Sequence, residues 1–127
     1  MATWESGRET GLLDDILAGR KTIERRLKKG KFAEYRPGDY VSLRRDFRDK
    51  QGALRDGPTR AATVRVVAVR NYKSFFEMVE AEGFKHVIPS AVSSSEAADE
   101  YNKYYSADDQ AKYGVLAIEI RPVDLVR

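Results

Sequence analysis

The sequence predicts an α+β fold: a small mixed sheet curled into a barrel, with helices in the connections. Three observations lead there. Within residues 59–71, Ala62, Val64, Val66 and Ala68 alternate with Thr63, Arg65, Val67 and Val69, the two-residue period of a strand. Residues 8–18 place Leu12, Leu13, Ile16 and Leu17 on one helical face, ahead of a short, charged, β-prone stretch. The elements then run helix, strands, two or three helices, strand, an order in which short strands and their helical connections close around one core. A barrel of that size fills its interior with side chains and keeps a cleft at one mouth. The 127 residues are read as one domain.

Each element has its own local reason. Gly19 ends the first helix, because glycine accepts the left-handed dihedrals of a helix stop. Thr22 to Leu27 reads as a first strand. Lys28-Lys29-Gly30-Lys31 is a basic loop, and Pro37-Gly38-Asp39 is a turn, with proline and glycine in turn-forming order. Tyr40 to Arg45 is a second strand, in which Val41 and Leu43 alternate with Ser42 and Arg44. Residues 46–58 form a polar connection rich in glycine and charge. Thr59 to Asn71 is the clearest strand. Its second set of residues turns apolar at the far end, so that end is expected to be covered on both faces. Ser74 caps a helix reaching Glu82, and Gly83 ends it. Val87-Ile88-Pro89 is a short apolar link. One of Ser93, Ser94 and Ser95 caps a helix over Glu96 to Tyr105, and Ser106 to Asp109 begins another turn of helix. Val115 to Ile120 is the last strand, ended by Arg121-Pro122.

Composition narrows the chemistry. There are no cysteines, which excludes disulfides, thiolate metal sites and cysteine nucleophiles, and His86 is the only histidine. No metal site and no cofactor is expected. The net charge of +3 is mildly basic and does not by itself call for a nucleic acid. No apolar run approaches the roughly 20 residues that cross a bilayer, and the N-terminus lacks the basic and apolar regions of a secretory signal. The expectation is an intracellular protein, in the cytoplasm, with no membrane partner.

The stretch that carries chemistry is G-x-K-x-x-E-x-R: Gly19, Lys21, Glu24 and Arg26. Glu24 and Arg26 are two apart and share a strand face, and Lys21 stands at the strand entrance. Buried charges need partners, so these three form either a solvated face or the polar lining of a cleft. As a binding site, Lys21 and Arg26 donate to a phosphate or a base edge while Glu24 accepts from an amine. As a catalytic site, Lys21 needs a lowered pKa to act as base or nucleophile; a neighbouring Arg26 and burial push it that way, and Glu24 opposes. Arg44, Arg45 and Arg65, with Lys28, Lys29 and Lys31, are candidates for a basic rim. Tyr101, Tyr104, Tyr105 and Tyr113 cluster near the C-terminus and could stack on bases.

The motif, with the helix Leu12 to Ala18 before it, resembles the ASCH domain (activating signal cointegrator homology), a branch of the PUA-like superfamily. Tyr35-Arg36-Pro37-Gly38-Asp39-Tyr40-Val41 resembles that family's turn before its second strand, and Tyr113 to Ile120 its closing strand. The blocks stand in family order over about residues 10–121. The resemblance implies a PUA-like barrel that binds RNA or a nucleotide or nucleoside, or alternatively DNA, at Lys21, Glu24 and Arg26; Arg44, Arg45, Arg65 and Tyr113 join the candidate binding residues from the basic rim and the tyrosine cluster. Some small bacterial members look like amidohydrolases acting on an acetylated cytidine nucleoside. There the motif lysine is the proposed nucleophile or base, and a downstream glutamate assists. A threonine stands in those members where this chain has Glu24. Carried over, Lys21 and Glu24 are the catalytic candidates, with Glu77, Glu80 or Glu82 as the assisting acid. A metal-independent ribonuclease and a protein-interaction module are the other readings.

Overall fold

The computed structural model describes residues 2–123. In chain order the elements are β1 (Thr3–Glu9), α1 (Thr10–Leu17), β2 (Ile23–Leu27), a 3₁₀ turn (Gly30–Glu34), β3 (Tyr40–Arg48), β4 (Leu54–Arg55), β5 (Ala62–Tyr72), α2 (Phe75–Glu82), α3 (Phe84–Val87), α4 (Ser94–Asn102), α5 (Ala107–Tyr113) and β6 (Val115–Pro122). The strands form one sheet in the order β1-β3-β5-β6-β2, with β4 paired to the far end of β3. Only β1 and β3 are parallel; the other pairs are antiparallel.

Closure into a barrel, expected from the sequence, is not what the sheet does. Its hydrogen-bonded path is open, with β1 and β2 at its two ends. A side-chain link joins these edges: Arg8 of β1 donates from Nε to Glu24 Oε1 of β2 at 2.7 Å. The fold class, α+β with a mixed sheet and helices in the connections, is as expected.

β6 explains how one sheet serves two cores. Val115 and Ala117 face the cluster built with α2, α4 and Ile23 and Leu27 of β2. Leu116, Ile118 and Ile120 face the opposite cluster, which includes Leu13 and Ile16 of α1 and Val41, Leu43, Val64 and Val66 of the sheet. A strand covered on both faces has no polar side to show, hence the unbroken Val-Leu-Ala-Ile.

Three sequence expectations are corrected. The first seven strand residues, Thr3–Glu9, carry no apolar alternation and become β1 through tertiary contacts. Trp4 Nε1 donates to Asp39 Oδ2 at 2.9 Å, and its ring packs on Tyr35 at 5.1 Å. A side chain at Gly7 would meet the paired Asp46 carboxylate and Arg44 guanidinium at 2.1 and 2.4 Å, so glycine there leaves room for that ion pair over β1. The first helix accordingly begins at Thr10 rather than at residue 8. In β5, the pairing with β6 shifts register between Val66 and Ala68. That bulge inserts a residue and reverses the alternation, so Val69 joins the core that Val64 and Val66 began. The apolar far end of β5 reflects this phase change and not cover on both faces alone. The caps at Ser74 and within Ser93–Ser95 are as read, and Ser106 caps α5 as well: Ser74, Ser93 and Ser106 each accept from the backbone N–H three residues on.

Candidate functional site

The open gap between β1 and β2 leads into a cleft of about 700 Å³, walled on the far side by α4 and the residues after it. Arg8 and Glu9 reach it from β1, Glu24 and Arg25 from β2, and Tyr101, Tyr104 and Tyr105 from the end of α4. Lys21 lines it from the turn between α1 and β2. Gly19, at φ +79°, makes that turn, and the backbone N–H groups of Arg20 and Lys21 both donate to the Asp15 carbonyl. The helix end therefore fixes where Lys21 enters.

The floor is charged and dry. Arg8, Lys21 and Glu24 are each 6% exposed or less. Lys21 Nζ donates to the Ile23 carbonyl at 2.8 Å and the Val87 carbonyl at 2.6 Å. Two of its hydrogens are thus committed, and the remaining position, a third proton or a lone pair, is left over. Burial pushes the Lys21 ammonium down to about 8, only partly offset by the Glu24 carboxylate and helped by Arg25, Arg8 and Arg26. Burial would raise the Glu24 carboxyl, but Arg8, Lys21 and Arg26 together outweigh it and hold the group well below the ordinary carboxylate range. Glu24 is the one anion balancing three cations, and its placement is structural as much as chemical.

Of the motif residues, Lys21 and Glu24 line the cleft and Arg26 does not. Arg26 shares the face of Glu24 as strand parity requires. It lies 3.8 Å from Glu24 Oε2, donates to the Arg25 carbonyl at 2.8 Å, and covers the Phe32 ring at 4.7 Å. It braces the floor from behind. Arg25, of opposite parity, takes the open position: its guanidinium sits over the Tyr101 ring at 4.5 Å.

The basic rim does not assemble at the cleft. Arg44 is held by Asp46 at 2.6 and 3.0 Å, and Arg45 by Asp14 at 2.9 Å. Arg65 is paired in register with Arg121 and lines a separate shallow depression under Pro37 and Gly38. Lys31 donates to the Glu5 carbonyl. Tyr113 is half-buried against the helical core, with Lys29 and Lys112 over its ring at 4.9 and 5.1 Å. None of Glu77, Glu80 and Glu82 reaches the cleft either. Glu82 binds Arg70 bidentately at 2.6 and 2.7 Å and accepts from the Tyr72 hydroxyl, while Glu80 accepts from Ser94 Oγ at 2.6 Å. The acids at the cleft besides Glu24 are Glu9, Glu96 and Glu100. Among the described residues no group of three or more His, Cys, Asp or Glu side chains is placed to hold a metal ion.

Sequence reasoning missed Arg8 and Arg25. Arg8 gives no signal, because its partner is 16 residues away across the unclosed sheet. Arg25 did give one: it interrupts Ile23 and Leu27 on the core-facing side of β2, where an apolar residue is expected.

Among solved structures, the hypothetical protein PH0355 is 35% identical, with a TM-score of 0.78 over 95% of this chain and 99% of its own. The protein PF0455 of Pyrococcus furiosus is 36% identical, with a TM-score of 0.74 over 96% of this chain and 98% of its own. A tyrosine-to-phenylalanine mutant of ZmASCH from Zymomonas mobilis shares the fold at 12% identity, with a TM-score of 0.56 over 97% of this chain and 76% of its own. No curated protein matches the sequence. The family model described as the ASCH domain matches residues 11–124, nearly the whole described chain, and the protein belongs to that family.

Proposed function

We propose that this protein binds RNA, or a nucleotide-like ligand, by taking one unstacked nucleotide into the cleft over Lys21 and Glu24. ASCH membership suggests RNA binding in general. The observation that carries the finer reading is the composition of this one cleft. A buried lysine and a buried Arg8–Glu24 pair lie at the floor, with three tyrosines at the wall. Its volume of about 700 Å³ is in the range of small-ligand sites. Of these, the exposed Tyr104 offers a base a stacking surface worth about 1–3 kcal/mol. Lys21 supplies a remaining donor to a base oxygen or ring nitrogen.

The test is a titration with short single-stranded RNA, cytidine and cytidine monophosphates at low salt. Binding that Lys21→Met weakens about tenfold or more supports the site. Absence of binding at micromolar protein, or indifference to Lys21→Met, rejects it.

One observation favours a second reading, an amidohydrolase on a modified nucleoside. With its pKa lowered to about 8, Lys21 is neutral in roughly one molecule in ten at pH 7. The neutral amine, donating to two carbonyls, has its lone pair left for a substrate or a water. As general base it would take a proton from water; the hydroxide adds to the acyl carbon, the C–N bond breaks, and the proton passes to the leaving amine. Acetate release from acetylated cytidine should then rise with pH through about 8 and vanish in Lys21→Arg, whose guanidinium stays protonated. Full activity in Lys21→Arg rejects the catalytic lysine.

A further inference from the structure

We infer that Arg25 forms a phosphate subsite at the mouth of the cleft, distinct from the Lys21–Glu24 floor. The inference rests on the cleft being a nucleotide site and adds which part of the nucleotide goes where.

Four observations support it. The first is charge accounting among the cleft arginines. Arg8 is neutralised by Glu24 at 2.7 Å and Arg48 by Glu9 at 3.1 Å. Arg25 has no carboxylate within ion-pair distance among the described residues, although it lines the same cleft. The second is rigidity. Arg25 lies over the ring of Tyr101, which is 4% exposed and packs on Phe75 at 5.2 Å. The guanidinium plane is therefore set before any ligand arrives, which lowers the ordering cost of binding. The third is the buried Nε of Arg25, which has no hydrogen-bond partner. That nitrogen keeps a hydrogen-bonding capacity that no described protein group takes up. The fourth is position. Arg25 follows Glu24 on β2 with opposite parity and enters the cleft from the other face; it is half-buried where Lys21 and Glu24 are buried, and it shares the lining with the exposed Tyr104 and the half-buried Tyr105.

A planar, preset guanidinium without a protein anion matches a phosphate, which can accept from two of its nitrogens at once. The acids on the opposite wall do not compete. Glu100 pairs with Lys103 at 2.9 Å, and Glu96 lies in the exposed first turn of α4. Their charge keeps a phosphate off α4 and on the β2 side. The base then occupies the floor against Lys21, and the phosphate lies over Arg25.

The experiment is calorimetric titration of the whole chain with cytidine, cytidine 5′-monophosphate, cytidine 3′-monophosphate, a single-stranded cytidine pentanucleotide and inorganic phosphate. The expected result is that one monophosphate binds about tenfold or more tighter than cytidine. In Arg25→Gln that advantage falls to within about twofold while cytidine affinity holds. Arg25→Lys keeps part of the advantage, and Tyr101→Leu loses most of it. The circular dichroism spectrum checks that each variant is folded. Cytidine binding with no preference for either monophosphate, or a preference that survives Arg25→Gln, overturns the subsite and leaves the cleft reading standing. Binding of none of the nucleosides or nucleotides overturns both. The pentanucleotide tells an internal phosphodiester from a terminal phosphate. Inorganic phosphate binding as tightly as the monophosphates would show a free-anion site and overturn the nucleotide assignment.

Discussion

Two groups of arginines sit on the same sheet and do different things. Arg8, Arg25 and Arg26, with Lys21, gather at the gap between β1 and β2, where burial strips them of water and one carboxylate, Glu24, balances most of the charge. Arg44, Arg45 and Arg65 lie on the outer sheet, where Arg44 and Arg45 are paired locally with Asp46 and Asp14 and Arg65 stays in solvent. In water an ion pair adds roughly 0–1 kcal/mol. In a dry gap the same charges become necessary to one another, because each loses its hydration and depends on the rest. The difference teaches that a motif's weight comes from where the sheet fails to close, not from how many cations the chain carries.

The comparison breaks first at Glu24. Glu24→Ala leaves Arg8, Lys21 and Arg26 buried without a balancing anion. A loss of about 3–5 kcal/mol is expected in urea unfolding, against less than about 1 kcal/mol for Arg45→Ala, whose partner Asp14 is exposed. Equal and small losses would mean the gap is wet and the distinction empty. The pair also sets an acid limit. The folded-state pKa of Glu24 lies below its unfolded value, so its contribution is present above the unfolded carboxylate range and is lost as pH falls through it. Stability should drop below about pH 4.5 more steeply in the wild type than in Arg8→Met/Glu24→Leu.

Lys21 sharpens the comparison with the opposite pH window. Its folded-state pKa of about 8 lies below the ordinary lysine value of 10.5. Between those values the unfolded chain binds more protons than the folded one, so stability rises with pH. Relative to Lys21→Met, the wild type should gain roughly 2 kcal/mol between pH 8 and pH 10 in chemical unfolding. A difference that stays flat across this window would show an ammonium in contact with water, and with it no basis for base or nucleophile chemistry.

The sequence made the floor readable and left the walls obscure, for physical reasons. Lys21 and Glu24 announce themselves because charge in a β-prone segment must be either solvated or paired. Strand parity correctly puts Glu24 and Arg26 on one face. It does not say which residues see the cleft, because the cleft wraps the edge of β2 and receives Glu24 from one face and Arg25 from the other. Asp46, two residues after Arg44 and on the same face, is a local sign that this arginine was already engaged. No local sign exists for β1. Its register with β3 rests on Trp4, Asp39 and Gly7, residues that meet only once the sheet is folded.

The smallest expected effect decides whether the outer arginines touch nucleic acid at all. Each cation that neutralises a phosphate releases about one counterion, so removing it lowers the steepness of the salt dependence by about one. Arg25→Gln should therefore flatten a plot of log affinity for single-stranded RNA against log salt by about one. Arg65→Ala should leave the slope unchanged and shift the unfolding free energy by less than about 0.5 kcal/mol. Arg65 is exposed on β5, across from Arg121 and outside the cleft, so an RNA strand engaged by Arg25 has no need to pass it. If Arg65→Ala flattens the slope as much as Arg25→Gln does, the strand runs over the outer sheet as well. The two groups of arginines would then form one binding surface, and their difference would lie in stability alone.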